Sequence, residues 1–458
     1  EKITLQEIKG IGTKMSEKII RSVGGEENLQ KIIENQDIEK LMNIDGISHR
    51  KAIEIMNTLQ NKPQYEFIKS ERAMELYEDI INKIIAYSNT KYSKNRIMLL
   101  SPSKNKKEIE KQLSFTMEAK EKVSKLPIIK LRGLMKNLKE IEEPKAEYDP
   151  SKAILVETEE DNSYLCDLGL NQYYPIITAS ESSLMHEELL SYDLIIYVYS
   201  QGVLDLEGMP NIVMISIDDN DYEIVPEKII NFFTTNQELF EKVHEIQKIR
   251  NKETVLGEII PIINELNVIN KREIDIDELV NNLKKDMDKE LETAIQDVDL
   301  EGDEILNLLN NNFPPKINEI FDEIINKRKK IIKEETGLDF DPYLKKYPIE
   351  IDDMELERVK LEQSSKKEND IYETKKTAAI QLNAIKEEVI NEVNEVIKFD
   401  YEFTLGSFAY EYNLNAPIFG ENIDLKGALH LELALKRENE NVQKIDYSLT
   451  QNENIALL

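Results

Sequence analysis

The feature that most restricts how this chain can fold is a short pattern that occurs twice near its start. The first copy is Leu5, Ile8, Gly10, Ile11, Gly12 and Ile19; the second, about 36 residues later, is Leu41, Ile44, Gly46, Ile47, Ser48, Ala52 and Ile55. In each copy, apolar residues at helical spacing run into a Gly-Ile-Gly or Gly-Ile-Ser turn, and a second apolar helix begins at once. The repeat predicts two like helical hairpins within residues 1–62.

Glycine in such a turn lets the backbone come close to a phosphate. The N–H groups at the start of the following helix then bind the anion at the positive end of the helix dipole. Thr13, Lys14 and Ser16 follow the first turn, and His49, Arg50 and Lys51 follow the second, all suited as further phosphate donors. The pair resembles the tandem helix-hairpin-helix module of DNA-binding proteins. That resemblance implies contacts to the DNA backbone, with no base edge read, by Gly10, Ile11, Gly12, Thr13 and Lys14 and by Gly46, Ile47, Ser48, Arg50 and Lys51. A hairpin pair that serves only as scaffold is the alternative.

Charge separates the chain into regions that DNA would attract and regions it would repel. The 59 Lys and Arg against 89 Asp and Glu leave a net charge of −30. By segment the balance is 0 for residues 1–62, +4 for 63–150, −15 for 151–240 and −19 for 241–458. Only the first 150 residues would not repel a phosphate backbone. There Lys91, Lys94, Arg96, Lys104, Lys106, Lys107 and Lys111 cluster, and any bound DNA is expected mainly in this part.

The 458 residues suggest about three or four folding units, and the expected fold class is multidomain, mainly α with α/β. Residues 63–150 read as helical core, with one helix from Glu66 to about Lys91 and another from Lys106 to about Lys125, followed by a charged linker between Pro144 and Pro150. Residues 151–235 read as an acidic α/β insert. Ala153–Val156, Tyr174–Thr178, Leu194–Tyr199 and Ile212–Ile217 have the length and composition of strands in a mostly parallel sheet. Residues 236–398 show long apolar stripes, Leu279, Leu283, Met287 and Leu291 and later Leu382, Ile385, Val389, Val393 and Val396. These predict antiparallel long helices, two arms with a tip between them, with a kink at Pro261 and a brief extended piece at Tyr347–Ile351.

After Phe399 the composition turns aromatic and β-like. The succession through Gly427-Ala-Leu-His430 and Val442-Gln-Lys-Ile-Asp446 resembles the opening of the ATPase domain of the MutS family of DNA mismatch-repair proteins. Leu429, Leu431 and Lys444 depart from that family's Arg, Pro and Pro, while His430 and Asp446 match. The resemblance implies that 236–398 are lever and clamp helices and that 399–458 begin a P-loop ATPase β-region. It places Val442 and Gln443 beside a nucleotide base and makes Ile455–Leu458 the strand that feeds the phosphate loop. ATP and Mg²⁺ would then belong to a longer protein acting as a homodimer. No Gly-x-x-x-x-Gly-Lys-Ser/Thr occurs in the 458 residues, so the chain as given is not expected to hydrolyse ATP. The family's Phe-x-Glu mismatch wedge is also missing from the first 100 residues, which fits junctions, flaps or plain duplex as well as mismatches.

Two other readings stay open. One is a non-enzymatic scaffold that tethers DNA through the hairpins and partners through the arms. The other is a metal-dependent nuclease in the insert, with Asp218, Asp219 and Asp221 as ligands. The single cysteine, Cys166, and four histidines leave almost no material for a disulfide or a Cys/His zinc site. No apolar run has the length of a membrane span and no signal peptide is readable, so a cytoplasmic protein is expected.

Overall fold

The computed structural model describes residues 4–60, 70–179, 186–269, 274–436 and 442–452. The chain divides into two compact units, one formed by Glu1–Ile141, Asn236–Glu258 and Lys386–Leu458, the other by Glu142–Thr235 and Ile259–Ile385. These units cut across the expected segments, because both ends of the stretch 236–398 belong with the N-terminal residues.

In the first unit the repeat builds four short helices, Thr13–Val23 (α1), Glu26–Glu34 (α2), Ile38–Met42 (α3) and His49–Leu59 (α4). The repeated apolar residues meet in one core, where Leu5, Ile8, Ile11 and Ile19 join Leu41, Ile44, Ile47 and Ile55. Four helices follow, Glu71–Ile85 (α5), Lys91–Met98 (α6), Lys106–Ser124 (α7) and Ile128–Met135 (α8). The expected start at Glu66 lies outside the described residues, and the chain leaves the helical state before Lys91, where Thr90 opens α6 by accepting a hydrogen bond from Ser93 N.

The second unit contains a parallel sheet of Lys152–Val156 (β1), Ile176–Thr178 (β2), Leu194–Tyr199 (β3) and Ile212–Ser216 (β4) in the order β2-β1-β3-β4. Both faces of β1 and β3 are buried. Ile154, Val156, Ile196 and Val198 pack into one cluster and Leu155, Ile195 and Tyr197 into another, which is why these strands read as unbroken apolar runs. Glu159–Asp167 (α9) follows β1 behind a capping box made by Thr158 and Asp161, His186–Leu189 (α10) precedes β3, and Asp221–Ile224 (α11) and Glu227–Thr235 (α12) follow β4.

Gln237–Ile249 (α13) returns to the first unit and packs against α8. Leu256–Ile269 (α14) runs helically through Pro261. In the second unit Ile276–Gln296 (α15) and Pro315–Thr336 (α17) pack together on either side of the short Gly302–Leu309 (α16). Leu283, Met287 and Leu291 meet Ile317, Phe321 and Ile324, the pairwise packing that the stripes predict. The extended piece is a two-stranded antiparallel pair, Tyr343–Leu344 (β5) with Glu350–Ile351 (β6).

The largest departure from expectation is Asp353–Glu411 (α18), 59 residues in a single helix. The stretch from Phe399 to Glu411 is therefore helical and does not begin a β-region. Its aromatic residues mislead by composition, yet Val396, Phe399 and Phe403 are buried at spacings of three and four and continue the stripe of Val389 and Val393. A small antiparallel pair does follow, Ile423–Ala428 (β7) and Ile445–Leu449 (β8), with Leu431–Lys436 (α19) between them. The strand expected at Ile455–Leu458 lies outside the described residues.

Gly406 sets how closely α18 crosses α7. A Cβ there would meet the Ala119 carbonyl oxygen at 2.5 Å and Val123 Cγ2 at 2.7 Å, and the first of these is backbone that cannot rotate away. Gly406→Ala should therefore destabilise the first unit by about 1–3 kcal/mol in spite of alanine's better helix propensity. A thermal or urea melt that shows the variant equal to or firmer than wild type would refute this close approach.

Candidate nucleic-acid interface

The two hairpins fold into the same local structure. Ile11 N donates to the Ile8 carbonyl and Ile47 N to the Ile44 carbonyl, both at 3.0 Å, closing identical four-residue turns. The third residue of each turn is glycine at positive φ, +83° for Gly10 and +89° for Gly46, the geometry that a type II turn demands and that other residues resist. Each turn leads within two residues into a helix, capped by Gly12 in α1 and by Ser48 in α4. Neither helix has an acidic residue in its first turn.

The repeats face each other across an approximate two-fold relation. Met15 of α1 lies 3.4 Å from the Cβ position of Gly46, and its counterpart Lys51 of α4 lies 3.3 Å from that of Gly10. Lys18 pairs with Asp45 at 2.8 Å, and this ion pair holds the exposed Asp45 carboxyl below its usual range.

Several expected contact residues have other duties. Ile11 and Ile47 are buried, with their amides spent on the turns, so they set the loops' shape and offer no side chain to a ligand. Lys51 turns its ammonium onto the Lys9 carbonyl and the Glu54 carboxylate and acts as a tie between the repeats, not as a free cation. His49 is half-buried, hydrogen-bonded to the Met98 carbonyl at 2.7 Å and stacked on Tyr77. Ser16 is also buried. Gly10, Gly12, Thr13 and Lys14 remain exposed on the first hairpin, and Gly46, Ser48 and Arg50 on the second. Helix geometry leaves the first amides of α1 without intrahelical acceptors, and Gly12 provides no side-chain cap for them. In α4, Ser48 Oγ already accepts from Lys51 N, so the first hairpin is the more open of the two.

The basic cluster that follows is neutralised in part. Lys91 binds Asp37 at 3.1 Å and Lys94 binds Glu39 at 2.8 Å, so α6 is pinned to the start of α3. Burial opposes ionisation of Asp37, but Lys91 and Lys40 beside it hold its carboxyl below the usual range. Lys106 pairs with Glu110. Arg96, stacked 4.7 Å over the Tyr92 ring, has no ion-pair partner among the described residues.

The acidic insert contains a different constellation, which sequence spacing did not reveal. Glu157 stands at the C-terminal end of β1, where the strand order reverses between β1 and β3, the place at which open parallel sheets usually bind ligands. Its own carboxylate fills that crevice. It accepts from Tyr197 Oη at 2.6 Å, Ser200 Oγ at 2.9 Å, and the amides of Ser200, Gln201, Gly202 and Val203. The donors come from β3 and the loop after it, 40 to 46 residues away in sequence, and only folding brings them together. Two of the three aspartates after β4 are engaged locally: Asp219 accepts from Ser216 N, and Asp221 pairs with Lys228. Among the described residues no group of three or more His, Cys, Asp or Glu side chains converges on a metal position.

The C-terminal residues matched to the MutS pattern have local structural roles. Asp446 Oδ1 accepts from Gly427 N at 2.6 Å, locking β7 to β8, and His430 Nδ1 accepts from Leu433 N at the start of α19. Val442 is half-buried and Gln443 exposed just ahead of β8. No helix among the described residues is long and apolar enough to cross a membrane. No family model, curated protein or solved structure matches the chain.

Burial works against the charge of Glu157, but the Tyr197 hydroxyl and the loop amides outweigh it and bring the carboxyl down to about 2 from an ordinary 4.5. A depressed folded value means that this tie adds stability above about pH 4.5 and loses it as pH falls towards 2. The Gly202 and Val203 amide resonances should titrate with a midpoint near 2 in wild type and not at all in Glu157→Gln. A wild-type midpoint at 4.5 would show that the loop is not held in this way.

Proposed function

We propose that this chain holds DNA by its phosphate backbone through the paired glycine hairpins, as the DNA-binding portion of a MutS-like protein of repair or recombination control that works as a homodimer. One observation carries the reading. Two turns with the same hydrogen bond and the same positive-φ glycine each present a helix start without acidic residues to solvent. Such paired amide clusters suit two successive phosphates, whose spacing and shape are recognised while base identity is not. Lys14 on the first hairpin and Arg50 on the second add charge at the rim.

The nucleotide part of this reading draws on the resemblance alone, which places Val442 and Gln443 beside a base. A triphosphate needs a cradle of unspent backbone amides, and no phosphate-loop motif lies in the 458 residues. Duplex binding is therefore assigned to the hairpins, with no step routed through a nucleotide.

Gly12 is the position at which to test the hairpins without disturbing the fold. Its φ of −82° suits any residue, and a Cβ there meets nothing within 4 Å. An acidic side chain at a helix start is itself tolerated or favoured. Gly12→Glu with Lys14→Glu should weaken duplex binding more than tenfold at low salt. It should also flatten the slope of log K against log salt by about 0.9 for each phosphate that the variant no longer binds. Duplex affinity that is absent in wild type, or unchanged in this variant, would end the proposal.

A further inference from the structure

Three cavities of the first unit, of about 600, 780 and 720 Å³, adjoin at Arg96, which lines all of them. Along the first, rings and cations alternate. The Arg96 guanidinium lies over Tyr92, and Phe115 and Tyr401 stack with centroids 5.5 Å apart and planes 22° from parallel; Phe399, buried beneath Arg250 at 4.0 Å, forms the floor and offers no face to a base.

The charges around these cavities are unevenly satisfied. Of the three acids that line the first cavity, Glu395 pairs with Arg250 and Lys252 and Glu402 with Lys122, while Glu108 accepts only from the neutral Ser103 hydroxyl and keeps its charge. The exposed cations Arg96, Lys111 and Lys398 have no ion-pair partner among the described residues. Against the one uncompensated acid, Glu108, the three unpaired cations leave a local excess of positive charge in a chain whose net charge is −30.

We infer that this groove binds single-stranded nucleic acid, with unstacked bases against its rings and phosphates on Arg96, Lys111 and Lys398. Rings that line a cleft can stack only on bases already out of a duplex, and stacking without edge hydrogen bonds is tolerant of sequence. The run of three cavities suits a strand of several nucleotides better than one free nucleotide. Its far walls are Gln36 and Asn57 of the hairpin module, so a strand leaving a duplex on the hairpins would have this groove beside it. The inference rests on the DNA reading of the hairpins for the source of that strand, which makes the substrate a duplex with a single-stranded arm.

Fluorescence anisotropy on the whole chain separates the two claims, with three probes: an oligonucleotide of about 12 nucleotides, a blunt duplex, and that duplex with a single-stranded arm. Wild type should bind the oligonucleotide and prefer the armed duplex to the blunt one by about tenfold, the gain of stacking one or two bases. Arg96→Glu with Lys398→Glu, both exposed positions, should weaken oligonucleotide binding at least tenfold and abolish the preference while blunt-duplex binding stays. Gly12→Glu with Lys14→Glu should do the reverse. If wild type binds the oligonucleotide but no duplex, the groove stands and the hairpin reading falls. Failure to bind the oligonucleotide, equal binding by the groove variant, or equal competition by a free nucleoside monophosphate would overturn the inference.

Discussion

Much of the first unit depends on one buried carboxylate. Asp400, in the last third of α18, is fully buried and accepts hydrogen bonds from Asn89 N, Asn89 Nδ2, Thr90 N and Thr90 Oγ1 at 2.7–3.0 Å. Removing a carboxylate from water is costly, and burial does push its pKa above the ordinary value in spite of four donors. Those donors sit at the start of α6, whose positive end faces the charge. The interaction therefore fixes where α6 begins and how it meets α18. Ser93 and Thr404 add a second buried hydroxyl contact one turn further on. From α6 the support passes to the hairpin module, through Lys91 and Lys94 to Asp37 and Glu39, through Asn95 to Glu39 N, and through the Met98 carbonyl to His49. Both candidate nucleic-acid surfaces of this unit thus hang on one short helix that the buried aspartate positions.

That arrangement explains which parts are legible in the sequence. The hairpins are, because a positive-φ turn requires glycine and the apolar residues around it recur at fixed offsets, so chemistry and period agree. The strands of the insert are readable because both faces of β1 and β3 are covered. The basic cluster is legible only in part, because linear proximity says nothing about partners. Asp37 and Glu39 lie more than 50 residues from the lysines they neutralise, and only the fold distinguishes Lys91 and Lys94, which are ties, from Arg96, which is not. The segment 399–411 misleads because its aromatic content suggests strands. The three-and-four spacing of Val396, Phe399 and Phe403 carries the correct answer in the same residues. Asp400, Thr404 and Ser407 break up the apolar run, and their burial inside the helix packing has no signature in sequence.

Glu157 teaches the complementary point. A parallel sheet of order β2-β1-β3-β4 has its natural ligand crevice between β1 and β3, and an acidic insert with such a crevice invites a search for metal or phosphate. Here the cradle of loop amides exists, but the carboxylate of the first strand's end already occupies it. A ring of backbone donors around a side chain of the same chain orders a loop as effectively as it would bind an anion. Nothing in the spacing of Glu157 and Ser200 distinguishes those uses.

The asymmetry between the hairpins follows from the same accounting of donors and charges. Copy one has Lys9 ahead of its glycine and no side-chain cap, so its amides stay open. Copy two has Asp45 ahead of its glycine and Ser48 as a cap, and it needs Lys18 from copy one to balance the acid. In return, Lys51 of copy two braces the Lys9 carbonyl of copy one. Each repeat thus lends a lysine to the other's turn, and the exchange leaves the first hairpin with more unspent donors. A duplicated motif whose copies remained independent would have kept both sets of donors for a ligand. In this module part of the second set has gone into holding the pair together, so if the hairpins bind phosphate as proposed, the hold is firmer near Gly12 than near Ser48.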